Sequence, residues 1–128
     1  MFEKPEIMKM AAAMAANAST RMSAIAQNVA NADTPGYRAR DAADFGQTYR
    51  AASDFQMKAT RTGHLPSAPP AVDDILSVRP GGHLSPNGNN VSLEGEMMRA
   101  AGIRQDHDTA LTIYKTSLNI LRASIGRR

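Results

Sequence analysis

Three histidines, His64, His83 and His107, and the carboxylates Asp106 and Asp108 are the residues best equipped to hold a metal or move a proton. A zinc site needs ligands that converge, from helical i, i+4 pairs or from closely spaced Cys and His. None of the three His has that spacing to another ligand, and Asp106 and Asp108, on either side of His107, leave a helix on different faces. The chain has no Cys, which removes disulfides, thiolate ligands and thiol nucleophiles. A Ser–His–Asp set could be drawn from so many serines and aspartates, but no nucleophile elbow, Walker loop or dinucleotide fingerprint frames one. Gly81-Gly82 and Gly88 lie in a Pro-rich stretch, not between a strand and a helix. Paired carboxylates for glycoside cleavage would need a cleft that the pattern below does not provide. The expectation is a chain without catalysis, metal or cofactor.

The elements that could position side chains are two one-sided helices. From Val91 to Ile125, steps of four and three give Leu93, Met97, Ala100, Arg104, His107, Leu111, Tyr114, Leu118, Leu121 and Ile125, which is coiled-coil spacing. Arg104 and His107 are the polar positions in it and are expected to set register across an interface. A second stripe runs through Met8, Ala11, Ala15, Ala18, Met22, Ile25, Val29 and Ala32. The expected seam residues are therefore Ala15, Ala18, Met22, Ile25 and Val29 with Met97, Leu111, Tyr114, Leu118, Leu121 and Ile125. Each stripe needs the other, or neighbouring subunits, to cover it.

Composition agrees with a narrow core. Of 128 residues 42% are hydrophobic, but only three Phe, three Tyr and no Trp are present, and much of the apolar content is Ala and Met. Ala buries little area yet allows helices to approach closely. Net charge is +3, spread along the chain with no block dense enough for a nucleic-acid footprint. The longest apolar run, Met10 to Ala16, falls well below the ~20 residues of a membrane span. No secretory signal is expected at the start, where Glu3 and Glu6 offset Lys4 and Lys9. A membrane-surface helix is the rival for the first stripe, but such anchors favour bulky and basic residues over Ala.

Along the chain, Pro5 suits the first turn of a helix and Glu6 its favourable end for negative charge. The helix is expected to reach about Asn31, with Asn17, Asn28 and Asn31 supplying helix–helix hydrogen bonds in an assembly or, in the alternative, an amide-rich solvent surface. It stops at Asn31-Ala32-Asp33-Thr34-Pro35-Gly36-Tyr37, where Pro-Gly fits the centre of a type II turn. Phe45 and Tyr49 have helical spacing, which suggests a short helix over Asp41–Ala52. The stretch Thr62–Asn90 is rich in Gly and Pro; Val72, Ile75, Leu76 and Val78 suggest a strand, and Pro86-Asn87-Gly88-Asn89 a turn. Ser92 caps the last helix, Glu94 and Glu96 sit in its first turn, and Gly126 ends it. The fold class is mainly α: residues 1–32 and 91–128 pair as one coiled-coil unit. Residues 33–90 form a largely extended or irregular middle with a possible short helix and β-hairpin, ordered on assembly.

The stretch Gln27-Asn28-Val29-Ala30-Asn31-Ala32-Asp33-Thr34-Pro35-Gly36-Tyr37-Arg38-Ala39-Arg40-Asp41, followed by Asp44-Phe45, resembles the N-terminal signature of bacterial flagellar basal body rod proteins. The Arg38-to-Asp41 continuation and Ser85-Pro86-Asn87-Gly88-Asn89-Asn90-Val91-Ser92-Leu93-Glu94, with Glu96-Met97, point to the proximal-rod member of that family. A sibling axial subunit of similar size, or a soluble helical export-associated factor, are the alternatives. The resemblance implies a structural subunit whose terminal helices line the inner tube of the rod and help transmit torque. It implies partners in other copies of the chain, other rod proteins, the membrane-ring protein with its rod adaptor, and the flagellar type III export apparatus. No nucleic acid and no membrane insertion are implied, and the location would be the periplasmic rod of the basal body. It also implies an assembly signature at Asn28, Asn31, Thr34, Pro35, Gly36, Tyr37, Arg38 and Arg40, and at Asn87, Gly88, Asn89, Asn90, Val91 and Leu93. Gly95 departs from the family pattern, where Glu is common, and should loosen the start of the last helix.

Overall fold

The computed structural model describes residues 5–53, 76–79 and 84–126. His64, His83, Val72, Ile75 and most of the Gly/Pro-rich middle lie outside the described residues, as does much of the segment expected to order on assembly. The first helix, α1, spans Glu6–Ala30. Pro5 stands just before it at φ −49°, as the capping residue and not within the first turn, and its carbonyl accepts from Met8 N at 2.9 Å. Strand β1 follows at Arg40–Ala42, helix α2 at Phe45–Ser53, strand β2 at Leu76–Val78 and helix α3 at Leu93–Ile125. The chain is mainly helical, with long first and last helices, as its periodicity predicts.

The middle departs from expectation in two places. The short helix begins at Phe45 and not at Asp41, because residues 40–42 are engaged as β1. Its first turn hangs from the Asp44 carbonyl, which accepts from Gln47 N at 3.0 Å and Thr48 N at 3.1 Å. The strand pairing is antiparallel, with Arg40 opposite Val78 and Ala42 opposite Leu76, so it joins distant segments and is not a local hairpin. Leu76 packs with Ala24 and Ala42 in a small cluster. With one large side chain there, apolar burial contributes only about 1.5–3 kcal/mol to holding β2.

Helices α1 and α3 run antiparallel, the end of α1 beside the start of α3. Ala18, Ile25 and Ile103 form the apolar centre, flanked by Met22 and Ala100. On α1 the buried line is Met8, Ala11, Ala18, Ile25 and Asn28, with Ala15 and Met22 half-buried between them. Asn28 occupies the place expected of Val29, which is 39% exposed. On α3 the buried residues are Glu96, Ile103, Ala110 and Ser117, one every seven. Ala100, His107, Tyr114, Leu118 and Leu121 are half-buried. Met97, Leu111 and Ile125 are 66%, 38% and 80% exposed, outside the pair. The expected stripe and the buried one share Ala100, His107, Tyr114 and Leu121. Their alternate members differ by one residue, because a buried carboxylate, Glu96, takes the position that an apolar pattern assigns to Met97. Arg104 is likewise exposed, with Ile103 in the seam.

Candidate functional site

The residues of the two motifs meet at one end of the helix pair. After α1 the chain turns at Thr34–Tyr37, where Tyr37 N donates to Thr34 O at 3.3 Å. Pro35 sets the second residue of the turn and Gly36, at φ +72°, supplies the left-handed third, which is type II geometry. Asn31 closes the helix from its own side. Its amide donates to Gln27 O at 2.8 Å, and its Oδ1 accepts from Thr34 Oγ1 at 3.3 Å.

The second motif builds a loop of complementary shape. Gly88 N donates to Ser85 O at 2.8 Å, and Gly88 takes φ +79°. That left-handed φ is what favours glycine there, and the loop lies beside the first turn, where Gly36 N donates to Asn87 O at 3.0 Å. Asn89 is 1% exposed and its Nδ2 donates toward three carbonyls: Asn31 O at 2.9 Å, Ala32 O at 2.7 Å and Thr34 O at 3.0 Å. Its Oδ1 accepts from Val91 N at 2.8 Å. One amide from the far motif thus ties together three carbonyls of the loop that follows α1. Asn90 adds a further tie, its Oδ1 accepting from Ala39 N at 2.7 Å.

Beneath the loops lies a buried polar centre. Asn28 is wholly buried, and its amide is used on every side. Nδ2 donates to Arg40 O at 2.8 Å and Glu96 Oε2 at 3.1 Å; Oδ1 accepts from Arg40 N at 2.9 Å and Tyr37 Oη at 3.2 Å. Two donors on one side and two acceptors on the other fix which way the amide points. Asn28 therefore bonds within its own chain and not across an assembly. Asn17 also has a bond within the chain, its amide donating to Ala43 O at 3.1 Å. Glu96, 1% exposed, carries its charge against Arg79, with Oε1 at 2.6 Å from Nη1. Arg99 stands further off at 3.6 Å. An ion-pair chain continues outward from Arg79 to Asp41 at 3.9 Å, from Asp41 to Arg21 at 3.4 Å and from Arg21 to Asp44 at 3.2 Å.

Of the expected signature, Asn28, Asn31, Thr34, Gly36, Tyr37, Asn87, Gly88, Asn89, Asn90 and Val91 are joined in this interlock. Arg40 enters through its backbone, and its side chain and that of Arg38 are exposed. Pro35 is exposed at the turn and Leu93 is 52% exposed at the start of α3. Gly95 does not stop α3 from starting at Leu93, since its N–H donates to Ser92 Oγ at 3.3 Å. Sequence reasoning placed Glu96 in a first helical turn and in the second motif, with no buried role, and passed over Arg79. The heptad spacing from Glu96 to Ile103 and Ala110 is present in the sequence, but apolar periodicity favours Met97 over it, and the counter-charge, Arg79, lies 17 residues away. The half-buried His107 has Nδ1 3.9 Å from Oδ1 of the exposed Asp108. Among the described residues no group of three His, Asp or Glu could hold a metal ion, and no helix is long and apolar enough to cross a membrane.

The site is thus a helix pair fastened at one end by two interlocking loops, its buried polar groups turned on one another. Comparison with known sequences gives this arrangement its class. The family model for flagella basal body rod proteins matches residues 10–38, which cover most of α1 and the first loop. The flagellar basal body rod protein FlgB of Cereibacter sphaeroides is 31% identical over 107 residues, 83% of each chain. FlgB of Escherichia coli K12 is 34% identical over 116 residues, 82% of this chain and 77% of that one. FlgB of Agrobacterium fabrum is 25% identical over 126 residues, 95% and 94% of the two chains. The chain belongs to the FlgB family of flagellar basal body rod proteins, and is a structural subunit of the rod.

Proposed function

We propose that the chain builds the proximal part of the rod, stacking with copies of itself and with other rod proteins near the membrane ring and its adaptor. In this reading the helix pair, residues 1–32 with 91–128, faces the inner tube, and residues 33–90 fill the space outside it. The subunit leaves the cytoplasm through the flagellar export apparatus without a cleaved signal, stands in the periplasm and carries torque. It performs no catalysis. The family supplies these expectations, and one observation on the chain itself supports the assembly role. Met97, Leu111 and Ile125 are exposed, and with the half-buried Leu118 they recur in multiples of seven, one residue after the buried line of α3. One residue is about 100° of helix rotation, so α3 carries a second apolar stripe that its own partner helix leaves open. Non-closing contacts made through such stripes generate a helical assembly.

The test separates folding from assembly. Leu111→Glu and Ile125→Glu are expected to leave the melting of the purified chain within about 0.5 kcal/mol of the parent, as surface changes do. In cells lacking their own copy, the same variants should fail to restore basal body rods and swimming. Normal rods built from both variants would sink the reading.

A further inference from the structure

We infer that the Arg79–Glu96–Asn28 relay is a mechanical joint: it makes closure of the α1–α3 loop end conditional on docking of β2. The buried carboxylate of Glu96 meets two groups, Arg79 Nη1 at 2.6 Å and Asn28 Nδ2 at 3.1 Å, and only the first carries an opposite charge. Arg99, the remaining cation within reach, is 43% exposed and 3.6 Å away. A carboxylate removed from water and left without its partner is strongly destabilised, whereas the paired one is tolerated. Arg79 is delivered by β2: its N–H donates to Ala39 O at 2.8 Å, directly after the strand pairing ends. Among the described residues its Nε has no partner, so its guanidinium is secured through Glu96 and the longer contact to Asp41.

The consequence runs in both directions. When β2 lifts away, Glu96 keeps only the longer contact to the exposed Arg99 and turns with it toward water, which withdraws an acceptor from Asn28. Asn28 is also the residue that grips Arg40 N and O and Tyr37 Oη. Loss of β2 therefore reaches the first loop through side chains, and not through the strand pairing alone. Leu76, the single large side chain of the cluster under β2, gives too little apolar area to dominate this balance. Movement of the outer segment is thereby felt at the helix-pair end, a coupling that does not depend on which filament the subunit enters.

Hydrogen exchange on the purified full chain tests the joint. Arg79→Met keeps an apolar stem and removes the charge. The expected result is exchange roughly a hundredfold faster at the Arg40 amide, which reports the grip of Asn28, together with equal loosening of the strand pair. Amides near Ala11 and Ala110, in the other half of the helix pair, should keep their parent rates. Combining R79M with E96Q removes the stranded charge while retaining an acceptor for Asn28, so protection at the Arg40 amide should return even though β2 stays loose. If R79M releases β2 and leaves the Arg40 amide protected, the joint does not exist. If R79M fails to fold, the R79M/E96Q chain decides: recovery of the fold supports the joint, and continued failure overturns it.

Discussion

Asn89 reaches three carbonyls in the loop after α1 while its own Oδ1 fixes Val91, so truncating it takes the donor from Ala32 O and the acceptor from Val91 N together, whereas Asn31 O and Thr34 O keep Thr34 N and Tyr37 N. A buried carbonyl left without a donor costs about 1–3 kcal/mol, and water entering the site would recover part of that. Asn89→Ala is therefore expected to lower stability by about 2–3 kcal/mol in urea unfolding, where a change below about 0.5 kcal/mol would contradict the role assigned to it. The sequence showed that Asn31, Pro35, Gly36, Asn87 and Gly88 make turns, because turn chemistry is local. It did not show that the two turns bind each other, because Asn89 and Asn31 stand 58 positions apart and no periodicity connects them. Asn28 was misplaced for a related reason. An amide on a helix looks like solvent surface or interface until the backbone that satisfies it, here that of Arg40, is folded against it.

Helices α1 and α3 were readable almost to their ends, since a stripe at steps of three and four survives in sequence whatever the partner. The rotation of α3 was not. Apolar periodicity favours Met97 over Glu96, and nothing local reveals that Arg79 will arrive to neutralise the carboxylate. The register argument has a consequence for substitutions along α3. Gly102 meets open space where a Cβ would stand, so Gly102→Ala should raise stability by about 1 kcal/mol through helix propensity. Ala110 is wholly buried against α1, and Ala110→Leu should instead cost about 1–3 kcal/mol by forcing the helices apart. Thermal melts of the two variants should move in opposite directions; parallel shifts would mean that the buried line has been drawn on the wrong face.

The described interior holds few large side chains: Met8, Ile25, Leu76 and Ile103 are buried, and the rest of the apolar core is Ala. With so little apolar area to gain, the isolated subunit should unfold at modest temperature with a broad transition. Calorimetry giving a sharp, high-temperature transition for the monomer would contradict this. The fastening at the loop end adds a matter of timing. The last carbonyls of α1 are met locally, by Asn31 and Ala32, but the loop after it receives the Asn89 amide from 58 residues beyond Asn31, so that loop cannot be fastened by the first helix alone. Contacts between such distant positions form late, after the chain entropy of the intervening loop has been overcome. A newly made subunit therefore closes its fastened end only once the second loop has emerged.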